Sequence, residues 1–152
     1  MTRTDAQKSE GQRPILVVDD DRDLATMMKK FLEHHGWRVV VVTDPRSAIT
    51  RCIDAGPGLV LVDLMMPYLD GEDLVRQLRG VLHRETPAIV LVSASHMRPE
   101  VQKRLALPAS LSKPFSMDDL LDICVRFASE HRAAPGAAPP AEPADAKPDD
   151  QK

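Results

Sequence analysis

The chain has 152 residues, of which 43% are hydrophobic and 3% aromatic, and its formal net charge is −3. This length suits one domain with a short extension, and the aliphatic content is enough to fill a core. The small negative charge gives no general attraction to nucleic acid or anionic lipid, and no apolar run reaches the roughly 20 residues of a membrane span. Because the polar start also lacks the apolar centre of a signal peptide, we expect a soluble, cytoplasmic protein that binds neither nucleic acid nor membrane.

Strands and helices are predicted to alternate along the chain. Residues 1–13 are polar and predict a flexible N-terminus. Short apolar or β-branched runs predict five strands, at residues 14–19, 37–42, 59–63, 87–92 and 109–112. Apolar residues at helical spacing follow each strand, beginning with Leu24, Met27, Met28, Phe31 and Leu32 after the first. The later helices are predicted from Asp44-Pro45 to Ala55, around Leu74 and Leu78, from Pro99 to a break at Pro108, and after a Ser116–Asp119 capping box.

Five strand–helix repeats predict an α/β fold in which helices cover both faces of a parallel sheet. We expect the flavodoxin-like strand order 2-1-3-4-5, in which strands one and three are neighbours. Residues 14–130 would form this domain. Residues 131–152 are rich in Ala and Pro and show no periodicity, so they predict a disordered tail.

Polar residues stand where the predicted strands end. Asp19 and Asp20 end the first strand, Asp63 the third, Ser93 the fourth and Lys113 the fifth. Since the carboxyl ends of parallel strands share one edge of the sheet, these side chains should meet in one pocket. Carboxylates packed together repel one another unless a cation intervenes, and oxygen ligands suit Mg²⁺. The set also suits an incoming phosphoryl group, with Asp63 as the nucleophile that forms an aspartyl phosphate.

With these residues in place, the chain resembles the receiver domain of bacterial two-component response regulators. The resemblance covers about residues 14–130 and is carried by "ILVVDDD", "LVLVDLMMPYLDG", "LVSAS" and "LSKPF", in order and at fitting spacing. It implies that Asp63 accepts phosphate from a phosphohistidine of a sensor histidine kinase or phosphotransfer protein.

The same resemblance implies a role for each residue of the pocket. Asp20, Asp63 and the backbone carbonyl of Met65 would ligate Mg²⁺, while Asp19 would place a bound water. Ser93 and Lys113 would contact the phosphoryl group, and the peptide before Pro114 would be cis. Met65 and Ser95 are the positions that tune access of water to the phosphate. The chain departs from the family at Ser110, where an aromatic switch residue is common.

We expect a single-domain regulator that is not an enzyme and that signals through protein contacts. The expected output face is formed by the fourth helix, the fifth strand and the fifth helix. Its charged residues are Arg98, Lys103 and Arg104 on the fourth helix and Asp118, Asp119 and Asp122 on the fifth. These opposite charges could pair with a downstream protein or with a second copy, so the expected state is a monomer or weak homodimer.

Two other functions fit parts of the pattern. A degenerate receiver would keep the fold and act as a docking module without phosphorylation. An aspartyl-phosphate hydrolase of the haloacid-dehalogenase type would need a second Asp two residues after the nucleophile, where this chain has Met65. A nucleotide-binding domain would need a Gly-rich loop after the first strand, and "DDDRDL" is not one.

Overall fold

The structure is a computed structural model that describes residues 13–83, 86–94 and 99–128, with the side chain of Pro99 excluded. The predicted tail and, apart from Arg13, the predicted flexible N-terminus lie outside these residues. Among the described helices, none combines the length and the apolar composition that crossing a bilayer requires.

Strands and α-helices alternate through the described part of the chain. The strands are β1 (Ile15–Val18), β2 (Val39–Val42), β3 (Leu59–Asp63), β4 (Ala88–Ala94) and β5 (Ala109–Lys113). The α-helices are α1 (Arg22–His34), α2 (Ala48–Ala55), α3 (Gly71–Leu82), α4 (Pro99–Arg104) and α5 (Met117–Ala128). All paired strands are parallel, in the order β2-β1-β3-β4-β5. The predicted flavodoxin-like fold is therefore confirmed.

Each face of the sheet carries its own apolar core. Alternate strand residues point to opposite faces, so Val17 and Leu61 pack with α1 and α5, whereas Val18 and Val62 pack with α2, α3 and α4. Covering both faces explains why the strands read as continuous aliphatic runs rather than alternating ones.

Side-chain caps start the helices close to the predicted positions. Asp21 accepts a hydrogen bond from the Leu24 amide at 3.1 Å, and Ser116 and Asp119 form the predicted capping box at 3.1 and 3.4 Å. The helix predicted to start at Asp44-Pro45 instead opens as a 3₁₀ turn, Pro45–Ser47, before α2. Met27, which the helical pattern placed in the core, is 48% exposed, because it lies at the edge of the apolar stripe of α1.

The end of α4 is a left-handed turn built on a residue that does not favour it. Leu107 donates its amide to the Gln102 carbonyl at 3.0 Å and Ala106 to the Lys103 carbonyl at 3.1 Å, the pattern that usually closes on glycine. Ala106 has a φ of 50°, where its Cβ crowds the backbone. The turn therefore costs free energy that a glycine would avoid.

We predict that Ala106→Gly raises the free energy of unfolding by about 0.5–1 kcal/mol, because relief of the left-handed strain exceeds the entropy that glycine adds to the unfolded chain. Urea denaturation monitored by circular dichroism measures the change. Ala25→Gly, inside α1, is the control and should lower stability by about 1 kcal/mol or more. Loss of stability in both variants would contradict the assignment of strain to Ala106.

Candidate functional site

Three carboxylates meet at the carboxyl edge of the sheet. Asp19 and Asp20 follow β1, Asp63 ends β3, and Val18 and Val62 are register partners in these neighbouring strands. One oxygen from each of the three lies within 4.8 Å of the others. Asp19 and Asp63 are buried, with 2% and 6% of their surface exposed, whereas Asp20 is exposed. The structure thus brings together the three acids that the sequence placed at strand ends.

Backbone amides hold the two buried carboxylates in place. Asp19 Oδ1 accepts from the Asp21 amide at 2.9 Å, and Asp63 Oδ1 accepts from the Met65 amide at 3.2 Å. In each case the chain turns immediately after the strand and returns an N–H group to the side chain two residues back. These turns leave Oδ2 of both residues facing the pocket interior, where Lys113 lies.

Lys113 supplies the positive charge of the pocket. Its Nζ lies 2.9 Å from Asp19 Oδ2 and 3.5 Å from Asp63 Oδ2. The peptide between Lys113 and Pro114 is cis, as the resemblance implied. Ser93 is buried beside these groups on β4, one residue beyond the register partner of Asp63. All five residues that the sequence singled out at strand ends therefore lie at this one edge.

Burial raises the pKa of the Asp63 carboxyl to about 6, and the charge of Asp19 and, less so, of Asp20 adds to this rise. Lys113 and the Met65 amide act in the opposite direction but do not offset it. For Lys113, burial lowers the pKa, but the hydrogen bond and charge of Asp19, followed by Asp63, outweigh burial and raise it above its ordinary value. Lys113 thus pairs with two of the three acids, and the described pocket retains an excess of negative charge.

The donor set fits a hard divalent cation. Two buried carboxylates and one exposed carboxylate offer oxygen ligands within a few ångströms, and a cation there would offset the charge that Lys113 alone leaves uncompensated. Mg²⁺ typically takes one or two carboxylates and keeps several waters, so the exposed side at Asp20 suits it.

Gly71 is a site residue that the sequence analysis missed. A Cβ at this position would lie 2.4 Å from the Asp63 carbonyl oxygen and 2.8 Å from the Leu64 Cα, so only glycine lets α3 begin there. The Gly71 amide donates to the Leu64 carbonyl at 3.0 Å. The sequence signal was a glycine at the first position of a helix, directly after the Asp70 cap.

The remaining predicted residues fall in three places. Met65 has 73% of its surface exposed and stands beside the pocket, while the role of its carbonyl as a ligand stays a prediction. Ser110 donates its hydroxyl to Gln102 Oε1 of α4 at 2.8 Å. Ser95 and Arg98 lie outside the described residues.

The charges of the expected output face are only partly available. Lys103 is exposed, as are Asp118 and Asp122. Arg104 is exposed as well, but its guanidinium is paired with Glu72 of α3 at 2.8 Å. Arg104 is therefore an exposed but already paired charge, and its contribution to this face stays a prediction.

A groove opens beside the pocket, between α1 and the segment after β5. Leu24 and Met27 line it from α1, and Lys113, Pro114, Phe115 and Met117 line it from the other side. Its volume is about 430 Å³, and its walls are mostly apolar. Met27, which the helical pattern predicted to lie in the core, forms part of this surface.

The similarity of this chain to known proteins agrees with the geometry of the pocket. Residues 15–124 match the family model of the response regulator receiver domain. The response regulator MprA of Mycolicibacterium vanbaalenii is 38% identical over 112 residues, which cover 70% of this chain and 46% of MprA. The transcriptional regulatory protein CpxR of Klebsiella pneumoniae is 34% identical over 108 residues, covering 70% of this chain and 45% of CpxR. The chain thus spans about half the length of the curated relatives it matches.

Solved structures give the same result. The receiver domain of the Francisella response regulator 1452 has a TM-score of 0.70 at 27% identity, covering 79% of this chain and 99% of that domain. The chemotaxis protein CheY4 of Vibrio cholerae has a TM-score of 0.70 at 24% identity, covering 76% of this chain and 98% of CheY4. The second likeness is evidence for the fold alone.

We predict that, in metal-free buffer, the contribution of the Asp63 carboxyl to stability falls as pH rises from about 4 to about 7. The folded Asp63 carboxyl keeps its proton up to about pH 6, whereas the unfolded chain releases it near 3.8, so folding takes up a proton in this window. The loss by pH 7 should be about 1–2 kcal/mol, measured by urea denaturation in EDTA.

Two further measurements test this assignment. Asp63→Asn has no such proton and should show a flatter profile with higher stability at pH 7. Millimolar Mg²⁺ should raise the melting temperature of the wild type, and Asp20→Asn should weaken that gain. An identical pH profile in wild type and Asp63→Asn would contradict the raised pKa.

Proposed function

The chain belongs to the response regulator receiver family, and from that premise we propose that it is a phosphorylation switch. Asp63 accepts a phosphoryl group from a phosphohistidine of a sensor histidine kinase or phosphotransfer protein, in a reaction that depends on Mg²⁺. The single observation that supports this most directly is the position of Asp63, a buried carboxylate held between Asp19, Asp20 and Lys113.

Each residue of the pocket has a part in the transfer. The Asp63 carboxylate attacks phosphorus, a new O–P bond forms, and the N–P bond to the donor histidine breaks with its electron pair returning to the imidazole. With its pKa at about 6, most of Asp63 is ionised at pH 7 and able to attack. The Met65 amide orients the carboxylate through Oδ1, and Oδ2, which lies 3.5 Å from Lys113 Nζ, is the oxygen that attacks.

Charge is the main obstacle to this reaction, because a phosphoryl group enters a pocket that is already negative. Lys113 lies within 3.5 Å of both buried carboxylates and can pair with the phosphoryl oxygens, and the Ser93 hydroxyl can donate to them. Asp20, Asp63 and the Met65 carbonyl would hold Mg²⁺, with Asp19 acting through a bound water. Bound there, Mg²⁺ would offset the remaining negative charge.

The apolar groove beside the pocket supports a protein as the phosphoryl donor. Leu24, Met27, Phe115 and Met117 present apolar surface next to Lys113, and such a groove suits the apolar stripe of a partner helix. A donor docked there would bring its histidine to the exposed side of the pocket. Asp63 itself is 6% exposed, and the groove opens next to Lys113, which lies 3.5 Å from the Asp63 carboxylate.

The phosphoryl group is stored on the chain rather than passed through a catalytic cycle, so we propose a switch and not an enzyme. Output goes through protein contacts, with Lys103 on α4 and the acids Asp118 and Asp122 on α5 as the charged residues of the expected face. A hydrolase of the haloacid-dehalogenase type is disfavoured because the position of its second acid is held by Met65. A degenerate receiver is disfavoured because the acids, hydroxyl and lysine are all present and adjacent.

We predict that incubation with Mg²⁺ and acetyl phosphate adds one base-labile phosphate to the protein, seen as a mass increase by intact-protein mass spectrometry. Asp63→Asn should remain unmodified, because the amide oxygen is a poor nucleophile. The control is Asp54→Asn, an exposed acid of α2, which should be modified like the wild type. Equal labelling of Asp63→Asn and wild type would mean that the phosphoacceptor is another residue.

We also predict that Met65→Asn shortens the lifetime of the phosphate. Hydrolysis needs a water in line with phosphorus, and an exposed thioether beside the pocket cannot orient one, whereas a carboxamide can. The gain should be on the order of 10-fold to 100-fold, measured as loss of the phosphorylated mass after removal of donor. Met65→Leu keeps the apolar cover and should leave the lifetime nearly unchanged, so equal rates in all three proteins would exclude a shielding role.

A further inference from the structure

Polar contacts from α3 hold the last turn of α4. Both carboxylate oxygens of Glu72 accept from the Arg104 guanidinium, from Nε at 3.0 Å and Nη2 at 2.8 Å. Two turns further along α3, the Arg79 guanidinium donates to the carbonyls of Leu105 and Ala106, the latter at 3.4 Å. We call these the α3–α4 contacts. They join residues 26 to 32 positions apart in the chain.

The start of α3, which supplies Glu72 to these contacts, packs against the end of β3 at Asp63. Glu72 directly follows Gly71, whose missing Cβ lets α3 lie against the Asp63 carbonyl. The Gly71 amide donates to Leu64, and the Glu72 amide donates to the Asp70 cap at 2.8 Å. The first turn of α3 is thus in direct contact with the Asp63 backbone and with Arg104 of α4.

The position of α4 depends on such contacts because the helix is short. Its six residues, Pro99–Arg104, are too few to be stable without tertiary support, and its last turn is strained at Ala106. Val101 and Leu105 anchor it in the core, while polar contacts orient its end. A segment of this kind belongs to the low-stability part of a fold, where small biases change its conformation.

On the β5 side, the contact with α4 is a hydrogen bond rather than an aromatic ring. Ser110 donates to Gln102 at 2.8 Å, and Gln102 in turn donates to the Leu107 carbonyl at 3.4 Å. The Ser110 hydroxyl holds α4 through one hydrogen bond. It is too small to act as a bulky side chain that moves into or out of the space between β5 and α4. The larger set of polar contacts on α4 comes from α3.

We propose that Glu72 is a positioning residue that couples α4 to Asp63 through the first turn of α3, so that the state of the phosphoacceptor is reported on α4 by the contact between Glu72 and Arg104. The inference rests on the proposed function. The Glu72 carboxylate suits this role because its side chain is only 17% exposed and the fork of Arg104 engages both oxygens, which makes the contact directional. A shift of the Asp63–Leu64 backbone then moves the first turn of α3 and with it the end of α4.

Hydrogen–deuterium exchange tests the inference on the whole chain, with Mg²⁺ and beryllofluoride as a stand-in for the phosphoryl group. In the wild type, beryllofluoride should change the exchange of peptides that cover residues 99–107. In Glu72→Gln and in Arg104→Gln, which break the same contact from its two sides, that change should fall at least twofold. Binding of beryllofluoride, followed by its effect on melting temperature, should be retained in both variants.

Three matched controls separate coupling from general loss of charge. Asp73→Asn removes the neighbouring acid of the same helix turn, and Arg76→Gln removes the other partner of Glu72, at 2.7 Å, without touching α4. Glu33→Gln breaks a comparable ion pair on α1, Lys29–Glu33 at 2.6 Å. All three should keep the wild-type change in residues 99–107.

The outcomes are distinguishable. A change in residues 99–107 that persists undiminished in Glu72→Gln and Arg104→Gln overturns the inference and leaves the proposed function standing. The absence of any change there in the wild type, with beryllofluoride bound, also overturns it. Failure of the wild type to bind beryllofluoride would overturn the proposed function itself, and the inference with it.

Discussion

The structure depends on keeping two like charges buried side by side. Asp19 and Asp63 end neighbouring strands of a sheet whose faces are both covered, so water does not solvate them fully, and burial of an ionised carboxylate costs several kcal/mol, roughly, even after relaxation. The turns after β1 and β3 return amides to these carboxylates, and Lys113 reaches both from β5. These contacts offset only part of the cost of burial. Because the rest is not offset, the pKa of Asp63 is raised.

The fold and the location of the site follow from local features of the sequence. Uninterrupted aliphatic runs such as residues 59–62 distinguish strands buried on both faces from the helical stripes between them, and parallel strands bring their carboxyl ends to one edge. A carboxylate or lysine at the end of such a run is therefore informative, because nothing in a buried strand requires it. This is why the sequence alone predicts that Asp63 and Lys113 share one pocket.

Features that depend on long-range packing could not be predicted in the same way. Helical periodicity gives the direction of an apolar stripe but not its edges, and Met27, at such an edge, faces the groove beside Lys113 instead of the core. The pairing of Arg104 with Glu72, 32 residues away, depends on how α3 and α4 lie across the sheet. The approach of Gly71 to the Asp63 carbonyl has the same origin, since only the folded backbone brings these atoms together.

Two surfaces of α3 differ in what they can transmit. Its first turn lies against the Asp63 backbone with no space for a side chain, and protein interiors packed this closely pass a displacement on instead of absorbing it. Its outer face reaches a helix too short to hold its own position. A rigid contact at the charged pocket and a weakly held element at the surface form the combination that a switch requires. With Ser110 making a single hydrogen bond from β5, the described contacts support α3 as the route between them that we propose.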